Sequence, residues 1–301
     1  MTMLMAVWAE LKYFFLHLSI AILVVFFPWS IAYRVIRLMT RFAVGASEFD
    51  DAAVLNMRHY GFELEPSIAR RQIRLHRLID LADYYKSWVM NRHWLKRYWK
   101  RHGDCLPNPA QHPAVLFMTF HYGQGFWALR DFHESGLDMA ALYRPPPRPR
   151  LGEFCQYAFF WLRLSSIYRL AGAKPIRVGD GKSELPALVR RLVRDHQPVG
   201  VMPDIPVPAG QAAIPAQIFG RSIYFAAPLL RLVVKNKIPV VLYTSVLNLQ
   251  AQHRDVDVQV IYYVESVEEL AALMAKQLER VIYQDPTAWH LWPWAHEIFR
   301  G

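Results

Sequence analysis

Among the twelve histidines of the chain, His121 stands apart by its surroundings. It follows an apolar run, Val115-Leu-Phe-Met-Thr-Phe120, and precedes Gly123 and Gly125. The run has the composition of a buried strand, and the glycines open a helical pattern over 124–134. A histidine there lies at the carboxyl edge of a sheet, where open α/β sheets gather ligands. It also lies beside helix N–H groups that have no acceptor within the helix. Such a place suits a general base, with Gly123, Gln124 and Gly125 beside an anion or an oxyanion. The same loop spells Gly123-x-Gly125-x-x-Ala128, a dinucleotide-like pattern. Its acidic ribose partner is missing, because the next strand ends at Tyr143-Arg144. An NADP-dependent oxidoreductase is therefore a minor alternative.

Other patterns lead less far. Gly179-Asp-Gly-Lys-Ser183 resembles the end of a phosphate-binding loop, but Ile176 stands where its leading glycine belongs. A plain loop with Ser183 as a helix cap fits better. There is no GxSxG and no HExxH. The two cysteines, Cys105 and Cys155, have neither CxxC nor metal-finger spacing. No metal and no bound cofactor are expected.

These residues need a sheet to position them. Strands are expected over 114–120, 138–143, 174–178, 198–202, 239–246 and 256–264. Helices are expected over 124–134, 151–171, 183–195, 225–235 and 267–284. Alternation with short links predicts an α/β fold, with a mostly parallel sheet flanked by helices. The last two strands form a hairpin, which makes the sheet mixed. Four loops then follow strand ends: His121–Phe126, Arg144–Arg150, Gly179–Ser183 and Pro203–Gln211.

The N-terminal segment Tyr13–Tyr33 carries no formal charge and, as one helix, spans about 30 Å. Arg34, Arg37 and Arg41 follow it and outweigh Lys12 before it, which predicts a cytoplasmic C-terminal bulk. A buried or interfacial helix broken at Pro28 is the other reading. Residues 68–101 have a helical pattern, with Leu75, Leu78, Ile79, Ala82, Tyr85 and Val89 on one face. Its basic and aromatic end, Arg92–Arg101, suits either a lipid head-group layer or a solvated face with aromatics in the core. The chain thus divides into an anchor with basic flank (1–41), a helical region (42–110) and an α/β domain (111–301), the last two forming one compact unit. A net charge of +10 with 53% hydrophobic and 20% charged residues excludes a disordered chain and favours an anionic partner. The joint basic and oily character points to a membrane surface rather than to nucleic acid.

Five blocks carry a resemblance: Phe120-His-Tyr-Gly-Gln-Gly-Phe-Trp127, Leu142-Tyr-Arg-Pro145, Val199-Gly-Val-Met-Pro-Asp204, Ile218-Phe-Gly-Arg221 and Trp289-His-Leu-Trp292. In order and spacing they are similar to the lysophospholipid acyltransferase superfamily, specifically its lipid A late acyltransferase branch (lauroyl/myristoyl transferases). The resemblance runs from about Ala114 to Phe299. It implies acyl transfer from acyl-ACP or acyl-CoA to a hydroxyl or amine of a lipid-like acceptor, at the cytoplasmic face of a bacterial inner membrane. It implies His121 as base, Asp204 as a site-organising carboxylate, Arg144 as a phosphate or oxyanion contact, and Phe219 and Gly220 near the acceptor. One departure stands out. The family places an acid five residues after the histidine, and here that residue is Phe126. Either another group such as Asp204 or a backbone carbonyl holds His121, or the chain is a divergent enzyme with a different acceptor, or it is a non-catalytic lipid- or carrier-binding protein.

Overall fold

The computed structural model describes residues 3–178, 185–208 and 210–300. The Gly179–Ser183 loop lies outside the described residues. The helices are α1 (Met3–Phe26), α2 (Trp29–Met39), α3 (Phe49–His59), α4 (Pro66–Lys86), α5 (Arg92–Tyr98) and α6 (Phe126–Glu134). They continue with α7 (Phe154–Ala171), α8 (Leu185–Val189), α9 (Ala227–Lys235), α10 (Val267–Gln284) and α11 (Ala295–Ile298). The strands are β1 (Trp99–Gly103), β2 (Leu116–Met118), β3 (Ala140–Tyr143), β4 (Ile176–Arg177) and β5 (Val199–Val201). They end with β6 (Ala213–Ile218), β7 (Arg221–Ala226), β8 (Val240–Leu247), β9 (Arg254–Ile261) and β10 (Phe299–Arg300).

The chain folds as an α/β protein on a seven-stranded sheet of order β1-β9-β8-β2-β5-β3-β4. The strands β8, β2, β5, β3 and β4 are mutually parallel, whereas β9 pairs antiparallel with β8. Side-chain alternation sorts the central strands into two layers. Leu116 and Met118 of β2, with Val240 and Leu242 of β8, face α9 and α10. Phe117 of β2, with Val241 and Tyr243 of β8, faces α4, α6 and α7. Because both faces are covered, β2 is buried at every residue, as its unbroken apolar sequence requires.

The N-terminal segment is not one helix. Pro28 follows the end of α1 and, at φ −55° and ψ 142°, precedes α2. A proline disfavours helical backbone in the residue before it, so the break falls between Phe26 and Trp29. The helix α1 is long and apolar enough to cross a membrane, judged by length and composition. Only Ala6, Ile20 and Val24 of α1 are buried, and Phe15 and Phe26 are among many exposed apolar side chains. Its inner face is nevertheless docked. Glu10 accepts a hydrogen bond from the Cys155 N–H at 2.8 Å at the start of α7, and Lys86 Nζ donates to the Val24 carbonyl at 3.0 Å.

The helical reading of residues 68–101 needs correction at its end. The helix α4 begins at Pro66 with Glu65 as its cap and buries Leu75, Leu78, Ile79, Ala82 and Tyr85. It stops at Lys86, so Val89 falls beyond it and is exposed. Residues 99–103 leave helix altogether and form the edge strand β1, parallel to β9. The aromatics of this segment go inward, with Trp94 stacked on Trp127 at 3.9 Å, while Lys100 and Arg101 stay exposed. A second, three-stranded antiparallel sheet of order β10-β7-β6 is also present, and Phe225, expected in a helix, lies in its strand β7.

Candidate active site

Strands β2 and β5 are parallel neighbours, with Met118 opposite Val201. His121 and Asp204 each lie three residues beyond that pair, so equal overruns bring them together across 83 residues of chain. The imidazole Nδ1 lies 2.9 Å from Asp204 Oδ1, and the His121 backbone N–H donates to Oδ2 at 2.9 Å. The Trp289 indole N–H donates to the same Oδ2 at 3.0 Å. A carboxylate only accepts, so Nδ1 carries the proton and Nε2 keeps its lone pair. Asp204 is fully buried, whereas 29% of the His121 side chain is exposed.

The electrostatics follow from this contact. Burial alone would lower the His121 pKa, but the charge and hydrogen bond of Asp204 outweigh it and raise the imidazole above its ordinary 6.5. Burial would raise Asp204, yet His121 and the Trp289 indole hold its carboxyl below the usual 3.8. For the histidine, stability from the pair is full below the unfolded pKa and fades as pH rises through the raised folded value. For the aspartate it is full above the unfolded pKa and is lost as pH falls through the depressed folded value. The pair therefore stabilises the fold most between about pH 4 and 6.5. Thermal melts across pH should show Asp204→Asn losing most stability, relative to wild type, in that window; a uniform loss from pH 4 to 9 would contradict this assignment.

His121 opens onto a cavity of about 590 Å³. Its wall is largely apolar, formed by Tyr13 and Leu16 of α1, Phe126 and Leu129 of α6, and Phe159 of α7. Phe126 itself is buried, edge-on to Tyr84, with the Arg163 guanidinium 5.4 Å from its ring centroid. Asp204 thus holds the histidine from the neighbouring strand end, and the position after one turn of α6 serves as cavity wall. The two later acids of α6 are engaged elsewhere. Asp131 accepts from Trp99 and Arg101, and Glu134 pairs with Arg130.

The loop residues divide by role. Gly123 has φ +62°, and a Cβ there would lie 1.8 Å from the Ser245 carbonyl oxygen. Its N–H donates to the Ala288 carbonyl at 2.8 Å, and the Gln124 N–H donates to the Ser245 carbonyl at 3.0 Å. These two amides are therefore not oxyanion donors, and neither is free to cradle a dinucleotide pyrophosphate. Gly123→Ala is expected to destabilise the protein by at least about 2 kcal/mol, from the left-handed backbone and the clash together. A thermal melt within 1 °C of wild type would refute this. Gln124 is also turned away from the cavity. Its carbonyl accepts from the Leu247 N–H at 2.9 Å, so its amide nitrogen donates to His76 Nδ1 at 2.9 Å. This fixes His76 as the Nε2–H tautomer, donating to Asp285 at 3.0 Å. Gly125 does line the cavity, with open space where a Cβ would stand, at the start of α6. In the first turn of that helix the Ala128 N–H donates to the Gly125 carbonyl at 3.1 Å, which leaves the Phe126 and Trp127 amides without an intrahelical acceptor.

Three expected contacts are placed elsewhere. Arg144 is exposed past the end of β3 and is not in the cavity wall. Phe219 and Gly220, at φ +51° and +69°, form the two-residue turn of the β6–β7 hairpin. Phe219 packs against Phe62, Tyr283 and Phe299 rather than in the cavity, and its N–H donates to Glu279 at 2.7 Å. The turn chemistry, not acceptor contact, accounts for that glycine.

Sequence reasoning assigned no role to four residues that the fold brings here. Trp289 anchors Asp204, as described. His290 donates its backbone N–H to the His121 carbonyl at 2.7 Å and its Nε2–H to the Gly123 carbonyl at 2.8 Å, clamping the loop on both sides. Burial holds the His290 pKa below its ordinary value, keeping it neutral. Arg77 of α4 and Arg163 of α7 line the cavity. The signal for Trp289 and His290 was the Trp-His-Leu-Trp block; for the arginines there was none, because they lie among many others in helical stretches. Among the described residues, no group of three His, Cys, Asp or Glu side chains is placed to hold a metal ion. No family model matches the chain, and no curated protein matches it.

Proposed function

We propose that this protein is a membrane-associated acyltransferase, moving a fatty acyl chain from acyl-ACP or acyl-CoA to a hydroxyl or amine of a lipid-like acceptor. The observation that carries the proposal is His121, held by buried Asp204 with Nε2 open to an apolar cavity at the carboxyl edge of the sheet. His121 takes the proton from the acceptor as its oxygen or nitrogen bonds to the thioester carbon. The first amides of α6 stabilise the tetrahedral oxyanion. The C–S bond then breaks, and the imidazolium returns its proton to the leaving thiolate. The cavity wall houses the acyl chain. Asp204 is a positioning residue: it sets the tautomer and stabilises the imidazolium, the role given in the sequence family to the acid that Phe126 replaces.

Membrane association is supported by α1 and by the exposed arginines at positions 34, 37 and 41 that follow it. Their excess over Lys12 favours the cytoplasmic face of a bacterial inner membrane, with a lipid A precursor as one acceptor. The second reading is a non-catalytic lipid- or acyl-carrier-binding protein; the Asp204–His121 contact favours the enzyme, because it gives the histidine an orienting carboxylate. Purified protein incubated with acyl-ACP or acyl-CoA and candidate acceptors should form acylated product, with kcat/KM rising with pH as the imidazolium deprotonates. The midpoint of that rise should lie above about 6.5, the ordinary histidine value, because Asp204 favours the charged ring. Transfer that persists undiminished at pH 5 would rule out His121 as the base.

A further inference from the structure

Two imidazoles line the catalytic edge of the cavity, His121 and His290, and the mechanism above uses only the first. They are neighbours, because the His290 N–H donates to the His121 carbonyl at 2.7 Å. An antiparallel bridge between Tyr122 and Trp289 fixes the same pairing from the adjacent residues. The tautomer of His290 is set by its partner. Its Nε2 lies 2.8 Å from the Gly123 carbonyl oxygen, which only accepts, so Nε2 carries the proton. Burial holds the ring neutral, which leaves a lone pair on Nδ1. Among the described residues nothing donates to that nitrogen. The cavity edge therefore carries two imidazole lone pairs, His121 Nε2 and His290 Nδ1. Among the described residues the lining has one carboxylate, Asp80, and Arg163 Nη1 donates to it at 2.8 Å. No unpaired anion is left in that lining to hold an ammonium ion.

We infer that His290 Nδ1 is a second hydrogen-bond acceptor for the incoming nucleophile, and that it selects a primary amine, taken up uncharged, over an alcohol. The inference rests on the acyltransferase reading and narrows its acceptor. A neutral amine nitrogen has two N–H bonds and one lone pair. It donates one N–H to each imidazole and keeps the lone pair for the thioester carbon. Attack forms the C–N bond and leaves a positively charged nitrogen with two protons. His121 Nε2 takes one of them, and the other stays on the nitrogen, hydrogen-bonded to His290 Nδ1. The C–S bond then breaks, the imidazolium returns its proton to the leaving thiolate, and the products are a secondary amide and a thiol. A hydroxyl has a single O–H, which His121 needs. His290 Nδ1 would then face oxygen lone pairs, and an acceptor stripped of water without gaining a donor is costly.

The test uses the full chain in dodecyl maltoside micelles, with dodecanoyl-CoA or dodecanoyl-ACP as donor and dodecylamine or dodecanol as acceptor. Products are counted by mass spectrometry, the His121→Ala rate is subtracted to remove uncatalysed aminolysis, and the amine is scored on its uncharged fraction. Wild type should favour dodecylamine over dodecanol by at least about tenfold in kcat/KM, as one unpaired buried acceptor implies. His290→Gln keeps a donor for the Gly123 carbonyl at the Nε2 position but loses the acceptor at Nδ1. Its preference for the amine should fall by at least about tenfold. His290→Asn can place its carbonyl oxygen where Nδ1 stands but gives up the Gly123 contact. Both of its rates should fall while the preference survives. A purely structural His290 would lower both rates in both variants and leave the ratio untouched. An unchanged ratio in His290→Gln would therefore overturn the role of His290. Equal or faster acylation of dodecanol by wild type would overturn the amine assignment and leave the acyltransferase reading standing. Acylation of neither acceptor would remove that reading, and this inference with it.

Discussion

Asp204→Asn is expected to lower kcat/KM for acyl transfer by about 10³–10⁴-fold, comparable with the same change in a Ser-His-Asp triad. The reason lies in which atoms can donate. Asp204 Oδ2 receives two fixed donors, the His121 backbone N–H and the Trp289 indole N–H. An asparagine must keep its single carbonyl oxygen there, because its amide nitrogen would oppose both donors. The amide nitrogen then faces His121 Nδ1 and donates to it, so the ring proton moves to Nε2. The base is lost although the shape is kept. His121→Ala removes the base itself and should cost at least about 10²–10⁴-fold. Two further readouts separate mechanism from damage. The acid limb of residual activity in Asp204→Asn should move to lower pH, because the carboxylate that raises His121 is gone. The far-UV circular dichroism spectrum of Asp204→Asn should match that of wild type. Wild-type kcat/KM in Asp204→Asn would remove Asp204 from the mechanism.

The second large effect is on stability. Asp83 of α4 and Arg254 of β9 are both fully buried and form a two-point ion pair, Nε–Oδ2 at 3.1 Å and Nη2–Oδ1. The Arg254 guanidinium lies 4.2 Å from the Trp29 ring centroid, so one cluster joins α2, α4 and β9. Burial pushes the Asp83 carboxyl up to about 6 against the pull of Arg254, which shows how little water helps here. Removing one partner leaves the other charge unpaired in the core. Asp83→Ala and Arg254→Ala should each cost about 3–5 kcal/mol. That is a fall of roughly 10 °C in Tm for a chain of this size. The double replacement Asp83→Leu/Arg254→Met should be less damaging than either single change, since desolvation offsets much of the attraction. Single variants that melt within 2 °C of wild type would show that the pair is not holding these elements together.

Part of this protein is legible in its residues alone. The six expected strands of the main sheet all occur, because their apolar runs are bounded by turn residues and carry their own period. Helix α10 begins and ends where its pattern does, with Ser266 as its cap. His121 is conspicuous because strand, histidine and glycines are contiguous. By contrast β1 has a basic and aromatic sequence, Trp99-Lys-Arg-His-Gly103, that resembles the helix before it. Only its pairing with β9 makes it a strand. The β6–β7 hairpin was missed because its turn, Phe219-Gly220, places a phenylalanine at positive φ, where Asn or Asp is the usual signal.

Composition and periodicity, which act over neighbouring residues, determined the α/β class, the apolar N-terminal helix and the histidine at a strand end. What orients that histidine is a contact over 83 residues, decided by the register of β2 against β5, and no local pattern encodes a register. The arginines of the cavity are equally non-local: Arg77 and Arg163 are two among many along the chain until α4 and α7 pack beside the same strand end. Phe126 looks like a lost acid in one dimension. In three it is a wall residue beneath Arg163, because the fold supplies the carboxylate from the neighbouring strand.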